Sequence, residues 1–339
     1  MKNIQRVGML TSGGDAPGMN AAIRAIVLAL DSSVEVIGYK HGYNGLINSE
    51  SIRLTQSDVD NIIHLGGTII KSARCKEMRT SAGIKQAVST LIKDKVDALV
   101  VIGGDGSFNG LLAIQEHWAG QVIGLPGTID NDLDGTDNTI GFSSAINTAI
   151  QAVDKIRDTA DAFDRVFIIE LMGRHSGHIA FHVGLASGAE AILSFENTDT
   201  EHPEQVIDSL AKQVKQYQNS CNNSFLICVA ENLWPGGVTQ LRDQLNRYDF
   251  IDASACILGH IQRGGAPSAN DRILATKLGV AAVEALKGGM SGFMIGERYA
   301  KPILVPLLDA IKHTKMVPDH LIQAHKNIKA INPTKIDNL

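Results

Sequence analysis

Asp97-Ala98-Leu99-Val100-Val101-Ile102-Gly103-Gly104-Asp105-Gly106-Ser107 is the stretch whose reading decides the fold. A near-continuous apolar run that opens into small residues is the pattern of a central parallel strand, because a strand covered on both faces has no polar side to alternate with. A helix to about Trp118 is expected next. The one acidic side chain of the turn has two possible uses. Asp105 can reach a hydrated Mg²⁺ while its glycine neighbours let phosphates approach the backbone, or it can cap the helix.

The pattern recurs on either side. Val122-Ile123-Gly124-Leu125 is a second buried run, expected to break at Pro126-Gly127, and Thr128-Ile129-Asp130-Asn131-Asp132 follows. Its two carboxylates stand just past a strand's carboxyl end, where open α/β sheets carry ligands. Upstream, Val7-Gly8-Met9-Leu10 reads as the first strand, Thr11-Ser12-Gly13-Gly14-Asp15-Ala16-Pro17-Gly18 as its loop and about Met19 to Leu30 as a helix. Such a loop offers N–H groups and a helix start to an anion, but a tight turn needs glycines equally for positive φ. It has neither the Walker A spacing nor the dinucleotide fingerprint. Val34 to Gly38 reads as a strand, Tyr39 to Asn48 as a glycine-punctuated loop and Ser57 to His64 as a short helix. Next, Gly66 to Cys75 sets Arg74 beside a small-residue loop, as a phosphate ligand or a solvated side chain. An amphipathic helix from about Ser81 to Ile92 has Ile84, Val88 and Leu91 on one face.

The second half repeats the alternation. A helix from about Ser143 to Asp158 precedes a strand at Arg165 to Leu171, the loop Met172-Gly173-Arg174-His175-Ser176-Gly177 and a small-residue helix. Strands at Ala191 to Phe195 and Ser224 to Ala230 flank a polar helix from about Pro203 to Tyr217. Glu231-Asn232 ends the last strand, Leu258 to Pro267 forms a glycine-rich loop carrying His260 and Arg263, and a helix from about Asp271 to Leu286 leads to a final segment. The fold class is α/β.

The 339 residues, 44% of them apolar, suffice for one large or two medium domains. A net charge of only −5, with 31 Lys and Arg scattered along the chain, argues against nucleic acid as a partner. Cys75, Cys221, Cys228 and Cys256 lack metal-ligand pair spacing and read as free thiols in a reducing cytoplasm. No apolar run approaches the ~20 residues of a membrane span, so a soluble intracellular protein is expected.

Together, Thr11 to Asn20, Gly103 to Ser107, Pro126 to Asp132, Met172-Gly173-Arg174 and Gly259-His260-Ile261-Gln262-Arg263-Gly264-Gly265 closely resemble the bacterial ATP-dependent 6-phosphofructokinases, in order and over nearly the whole chain. The resemblance implies two doubly wound, mainly parallel-sheet α/β domains with the active site in the cleft between them. It places an ATP-binding domain at residues 1–141 plus about 262–310, and a sugar-phosphate domain at 142–261 plus about 311–339. It implies transfer of the γ-phosphoryl of ATP to the 1-hydroxyl of fructose 6-phosphate, in the committed step of glycolysis, with Mg²⁺ as cofactor and a cytoplasmic homotetramer with shared sites.

The same resemblance assigns roles residue by residue. Asp105 holds Mg²⁺, Gly13 contacts the ATP phosphates through its backbone, Arg74 reaches the transferring group, and Cys75 with Gly104, Asp105, Gly106 and Ser107 completes the nucleotide pocket. Asp130 is the general base, Thr128 and Ile129 lie by the transferred group, and Asp132 supports the metal region. Met172, Gly173, Arg174 and Glu231 line the sugar, with Arg174 also counted among the catalytic residues. His260, Ile261, Gln262 and Arg263 surround the sugar's 6-phosphate, and Arg165 reaches into a neighbouring subunit's site. Pyrophosphate-dependent relatives carry Asp at the position of Gly106 and Lys at that of Gly127; two glycines here favour ATP.

The match fails at two places. Ser254 stands where the family carries a second phosphate-binding arginine, which predicts weaker affinity for fructose 6-phosphate or a different acceptor, with Arg242 or Arg247 as a possible compensating cation. Arg24, Arg157 and Glu190 match the family's effector site. However, Leu28 and Gln56 replace arginines there, and Ser220, Asn222, Asn223 and Ser224 replace a basic cluster, which predicts weak or absent response to ADP and phosphoenolpyruvate. Two other readings stay open: a related sugar-phosphate kinase, and an inactive nucleotide-binding regulatory subunit.

Overall fold

The computed structural model describes residues 4–220 and 224–331; Cys221, Asn222 and Asn223 lie outside them. The chain divides into two compact units, one of residues up to 129, 133–145 and 263–314, the other of 130–132, 146–262 and 315 onward.

Strand β1 (Arg6–Thr11) leads to α1 (Met19–Ala29), β2 (Glu35–Tyr39), α2 (Tyr43–Asn48), β3 (Ser51–Leu54), α3 (Gln56–Val59), α4 (Ser81–Lys93), β4 (Ala98–Gly103), α5 (Asp105–Gln115), β5 (Gln121–Thr128) and the short β6 (Ile140–Gly141). Helix α6 (Phe142–Phe163) precedes β7 (Val166–Leu171), α7 (His178–Ala186), β8 (Ala191–Leu193), α8 (Pro203–Gln218), β9 (Phe225–Ala230), α9 (Gly237–Leu245) and β10 (Ala253–Ile257). Then come α10 (Ala269–Lys287), β11 (Phe293–Arg298), β12 (Lys301–Pro306), α11 (Leu307–Ala310) and α12 (Asp319–Ile331).

The first unit's sheet runs β12-β11-β5-β4-β1-β2-β3, with β6 pairing β5. Its interior pairings are parallel, while β12 and β3 close the two edges antiparallel. Every residue of β4 is buried, which is why its sequence is apolar throughout. The order reverses between β1 and β4, the point where open α/β sheets leave a crevice for ligands. The second sheet, β10-β7-β9-β8, is parallel throughout.

Several sequence expectations are corrected. Strand β5 does not break at Pro126-Gly127 but continues to Thr128. Proline is tolerated because β11 pairs only with Ile123 and Gly124, and β6 takes over at Gly127, so the missing N–H falls in the gap between partners. The supposed loop at Tyr39 to Asn48 contains α2, and the expected helix at Ser57 to His64 shrinks to α3. Helix α5 stops at Gln115, short of Trp118. The loop at Leu258 to Pro267 contains a 3-10 turn over Gly259–Arg263, while α9, β10, β11 and β12 were not anticipated.

Helices α1 and α10 pack closely: a Cβ on Gly279 would lie 2.7 Å from that of Ala25. At the start of α10, Asp271 is 1% exposed and accepts from Gly141 N, Ser144 N and Ser144 Oγ, so one carboxylate caps the start of α6 from another helix. Burial pushes its pKa up against these donors.

Candidate active site

In the first unit, the loops after β1 and β4 meet at the point of reversal. Gly13 takes φ 86°, a left-handed conformation that glycine adopts without penalty. Its N–H reaches Ala73 O at a long 3.4 Å, and its carbonyl accepts from Ser72 Oγ at 2.8 Å. The neighbouring chain is thereby fixed, and Arg74 and Cys75 follow directly. Arg74 is exposed and lines a pocket of about 410 Å³ with Asn44, Ile47, Asn48, Lys76 and Glu77. Cys75 donates to Glu77 Oε2, and burial raises its thiol pKa.

Across the point of reversal, Gly104 precedes α5, Asp105 opens it half-buried, and Ser107 lies buried in its first turn. The Ser107 carbonyl accepts from Tyr43 OH at 2.6 Å. Tyr43, on α2, is a support that the sequence reading missed; only the helical character of its segment could have disclosed it. A Cβ at Gly106 would meet nothing within 4 Å, whereas one at Gly127 would lie 2.7 Å from Ile102 Cγ2 and 3.2 Å from Met19 Cε. Gly106 is therefore open as the donor argument requires, and Gly127 is glycine for the packing of its own sheet as well. Thr128 lies at the end of β5, 8% exposed, its carbonyl accepting from Thr139 Oγ1 at 2.6 Å. Arg263 also belongs to this unit: its Nη1 donates to Asp15 O at 3.1 Å, and its guanidinium occupies the space beside Gly14.

In the second unit, the carboxyl ends of β7, β9 and β10 converge. Glu231 Oε1 accepts from Gly173 N and Arg174 N, Met172 N donates to Gln262 Oε1 at 3.3 Å, and Asn232 Nδ2 donates to Arg174 O. Glu231 thus anchors the loop backbone. This holds Arg174 at φ 59°, a conformation that costs a non-glycine residue ~1–3 kcal/mol, and leaves its side chain exposed. His260 and Ile261 are exposed on the 3-10 turn, and Gln262 is fully buried. Arg165 is not brought to this cluster. It precedes the amino end of β7, pairs with Asp252 at 2.7 Å and lies over the Phe163 ring.

Asp130, 8% exposed, belongs to this unit with Asn131 at φ 52° and Asp132. Its carbonyl accepts from Ser176 Oγ at 2.9 Å. Ser254 is half-buried on β10; Arg242 and Arg247 are engaged with Asp243 and Glu204. Of the expected effector residues, Arg157 pairs with Glu190 at 2.8 Å, and Glu190 also accepts from Tyr217 OH and Leu226 N. Among the described residues, no group of three or more His, Cys, Asp or Glu could hold a metal, and no helix is long and apolar enough to cross a membrane.

Parallel sheets whose carboxyl-end loops carry glycines, arginines and isolated carboxylates define an α/β protein suited to phosphorylated ligands. The phosphofructokinase family model matches residues 6–286, and the chain belongs to that family. It is 48% identical over 323 residues to the ATP-dependent 6-phosphofructokinase 1 of Thermus thermophilus, covering 94% of this chain and 98% of that protein. It is 44% identical to the ATP-dependent 6-phosphofructokinase 2 of Bacteroides thetaiotaomicron, covering 97% and 99%. Among solved structures, phosphofructokinase from Saccharomyces cerevisiae superposes with a TM-score of 0.83 at 34% identity over 95% of this chain; the chain spans 47% of that longer polypeptide.

Proposed function

We propose that the chain transfers the γ-phosphoryl group of ATP to the 1-hydroxyl of fructose 6-phosphate. Its family membership over residues 6–286, with full-length relatives named for this activity, carries the reading. The open space at Gly106 supports ATP over pyrophosphate as donor. The first unit binds the nucleotide and the second the sugar phosphate. The protein works as a cytoplasmic homotetramer in which Arg165 serves a neighbouring subunit.

Phosphoryl transfer needs charge neutralisation, in-line placement and a proton acceptor. Asp130 takes the proton of the attacking hydroxyl. Arg74 and Arg174 face the charge on the transferring group, the Gly13 N–H exchanges its long bond to Ala73 for a phosphate oxygen, and Cys75, Gly104 and Ser107 shape the nucleotide pocket. Thr128 and Ile129 flank the transferred group, Met172 and Gly173 the sugar. Glu231 holds the Met172–Arg174 loop in shape, and His260 with Arg263 supplies the acceptor's phosphate contacts. Asp105 fits a Mg²⁺ ligand: a hard carboxylate between glycines suits an ion that keeps several waters and uses phosphate oxygens for the rest of its shell. Bound there, the ion would neutralise charge on the ATP phosphates.

Response to ADP and phosphoenolpyruvate is weak, since Leu28 and Gln56 stand where the family's effector site carries arginines. A coupled assay tests the function with ATP or pyrophosphate as donor and fructose 6-phosphate or other sugar phosphates as acceptor. Turnover is expected only with ATP and best with fructose 6-phosphate. Turnover with pyrophosphate alone, or with none of these pairs, overturns the reading. Ser254→Arg is expected to lower KM for fructose 6-phosphate by about tenfold, the worth of one charge-assisted contact.

A further inference from the structure

The loop that carries Asp130 has no regular secondary structure of its own, and Asn131 at its centre is in the left-handed region. Hydrogen bonds from two places help to hold it. On one side, the Ser176 hydroxyl, 2% exposed, donates to Asp130 O at 2.9 Å; the backbone N–H of Ser176 closes its own turn onto Gly173 O at 2.9 Å. On the other side, Lys315 N donates to Asp132 O at 3.0 Å.

The segment around Lys315 is itself tied down. His178, 1% exposed at the first position of α7, meets Lys315 O with Nε2 at 3.1 Å. A carbonyl can only accept, so Nε2 carries the proton. Two residues on, Val317 N donates to Glu196 Oε1 at 3.1 Å, and Glu196 Oε2 fills the space where a Cβ at Gly177 would sit, 2.2 Å away. Val317 also packs with Phe181 and Ile192 in a small apolar cluster. Residues 176–178 therefore reach the Asp130–Asp132 loop twice, once directly and once through the 315–317 segment.

We infer that Ser176 and His178 are positioning residues for the base, fixing Asp130 and Asp132 by their backbone carbonyls while touching no substrate themselves. This inference rests on Asp130 being the base. A carboxylate that must meet a hydroxyl proton at hydrogen-bond distance gains from such fixation, because about 1 Å of misplacement costs up to about 100-fold in rate.

The test uses the full chain with Ser176→Ala, His178→Leu, His178→Gln and Asp130→Asn, each checked for folding by its melting transition. Ser176→Ala and His178→Leu are expected to lower kcat by about 10- to 100-fold while the KM for ATP stays within about twofold. His178→Gln, whose amide can donate near the position of Nε2, is expected to recover most of the kcat lost by His178→Leu. A role in folding alone predicts kcat per folded enzyme within about twofold of the parent in all three variants. That result, beside an inactive Asp130→Asn, overturns the positioning and leaves the base in place. An Asp130→Asn enzyme that keeps its activity overturns both. Should His178→Leu fail to fold, Ser176→Ala decides the matter, since it removes a single oxygen.

Discussion

Asp105 and Asp130 each follow a buried parallel strand, β4 and β5, yet they are held in different ways. Asp105 is the first residue of α5, so its direction is set by regular structure that begins at its own position. Asp130 lies beyond its strand in an irregular loop, and among the groups that hold it is Ser176, 46 positions away. A carboxylate at a helix start tolerates exchange of its distant neighbours, and one in a braced loop does not. A metal ligand can work from the first arrangement, because the ion adapts through its waters, whereas a base needs the second.

The largest effect should separate the two acids. Asp130→Asn is expected to lower kcat by about 10²–10⁴-fold with little change in KM for ATP. Asp105→Asn should instead raise the Mg²⁺ concentration for half-maximal rate; steady-state kinetics over a Mg²⁺ series distinguishes them. If both variants lose rate alike with unchanged Mg²⁺ dependence, the division of labour fails.

The next effect concerns the brace. Burial, with the Lys315 charge and His182 beside it, lowers the His178 pKa from 6.5 to about 3. A base with a depressed folded pKa contributes stability that is fully present above its unfolded value and lost as pH falls through 6.5 towards 3. His182, itself lowered by burial and facing Lys315 and His320, acts in the same direction. Unfolding free energy should therefore fall with a slope of up to about 1.4 kcal/mol per pH unit per histidine below pH ~6.5. Denaturant titrations of the parent and His178→Gln should show a shallower slope in the variant. Equal slopes would remove His178 from the account.

Two smaller effects compare glycines of the first unit. Gly127→Ala forces a methyl to within 2.7 Å of Ile102 and should destabilise by about 1–3 kcal/mol. Gly106→Ala, in open space on a helix, should raise stability by up to about 1 kcal/mol while raising KM for ATP. Thermal unfolding and ATP titrations check both.

This contrast also marks how far the sequence could be read. The first unit's central strands and the Asp105 loop were legible because local pattern and final structure agree: β4 is buried on both faces and reads as an apolar run. Edge strands β3 and β12 were missed, with β11 beside the latter, since strands in antiparallel pairs mix polar and apolar residues without a clear period. The Asp130 loop was legible as two carboxylates just past a strand, but its supports were not. Ser176 and Lys315 look ordinary in sequence, and only the tertiary fold brings them to its carbonyls. The hydrogen bond from the Arg263 guanidinium to Asp15 O spans 248 positions, a pairing that no local pattern records.

The packing of α10 on α1, close at Gly279 and Ala25, sets a timetable for synthesis. Strands β1 to β5 leave the ribosome first, but the apolar side of α1 and the outer side of β5 stay bare until α10 and β11 have been made. At about 5–20 residues per second, that delay is on the order of ten seconds. The unit that begins the chain is thus completed late, with a hydrophobic helix surface waiting for its cover, and this window is where aggregation of the nascent protein, or its capture by a chaperone, should concentrate.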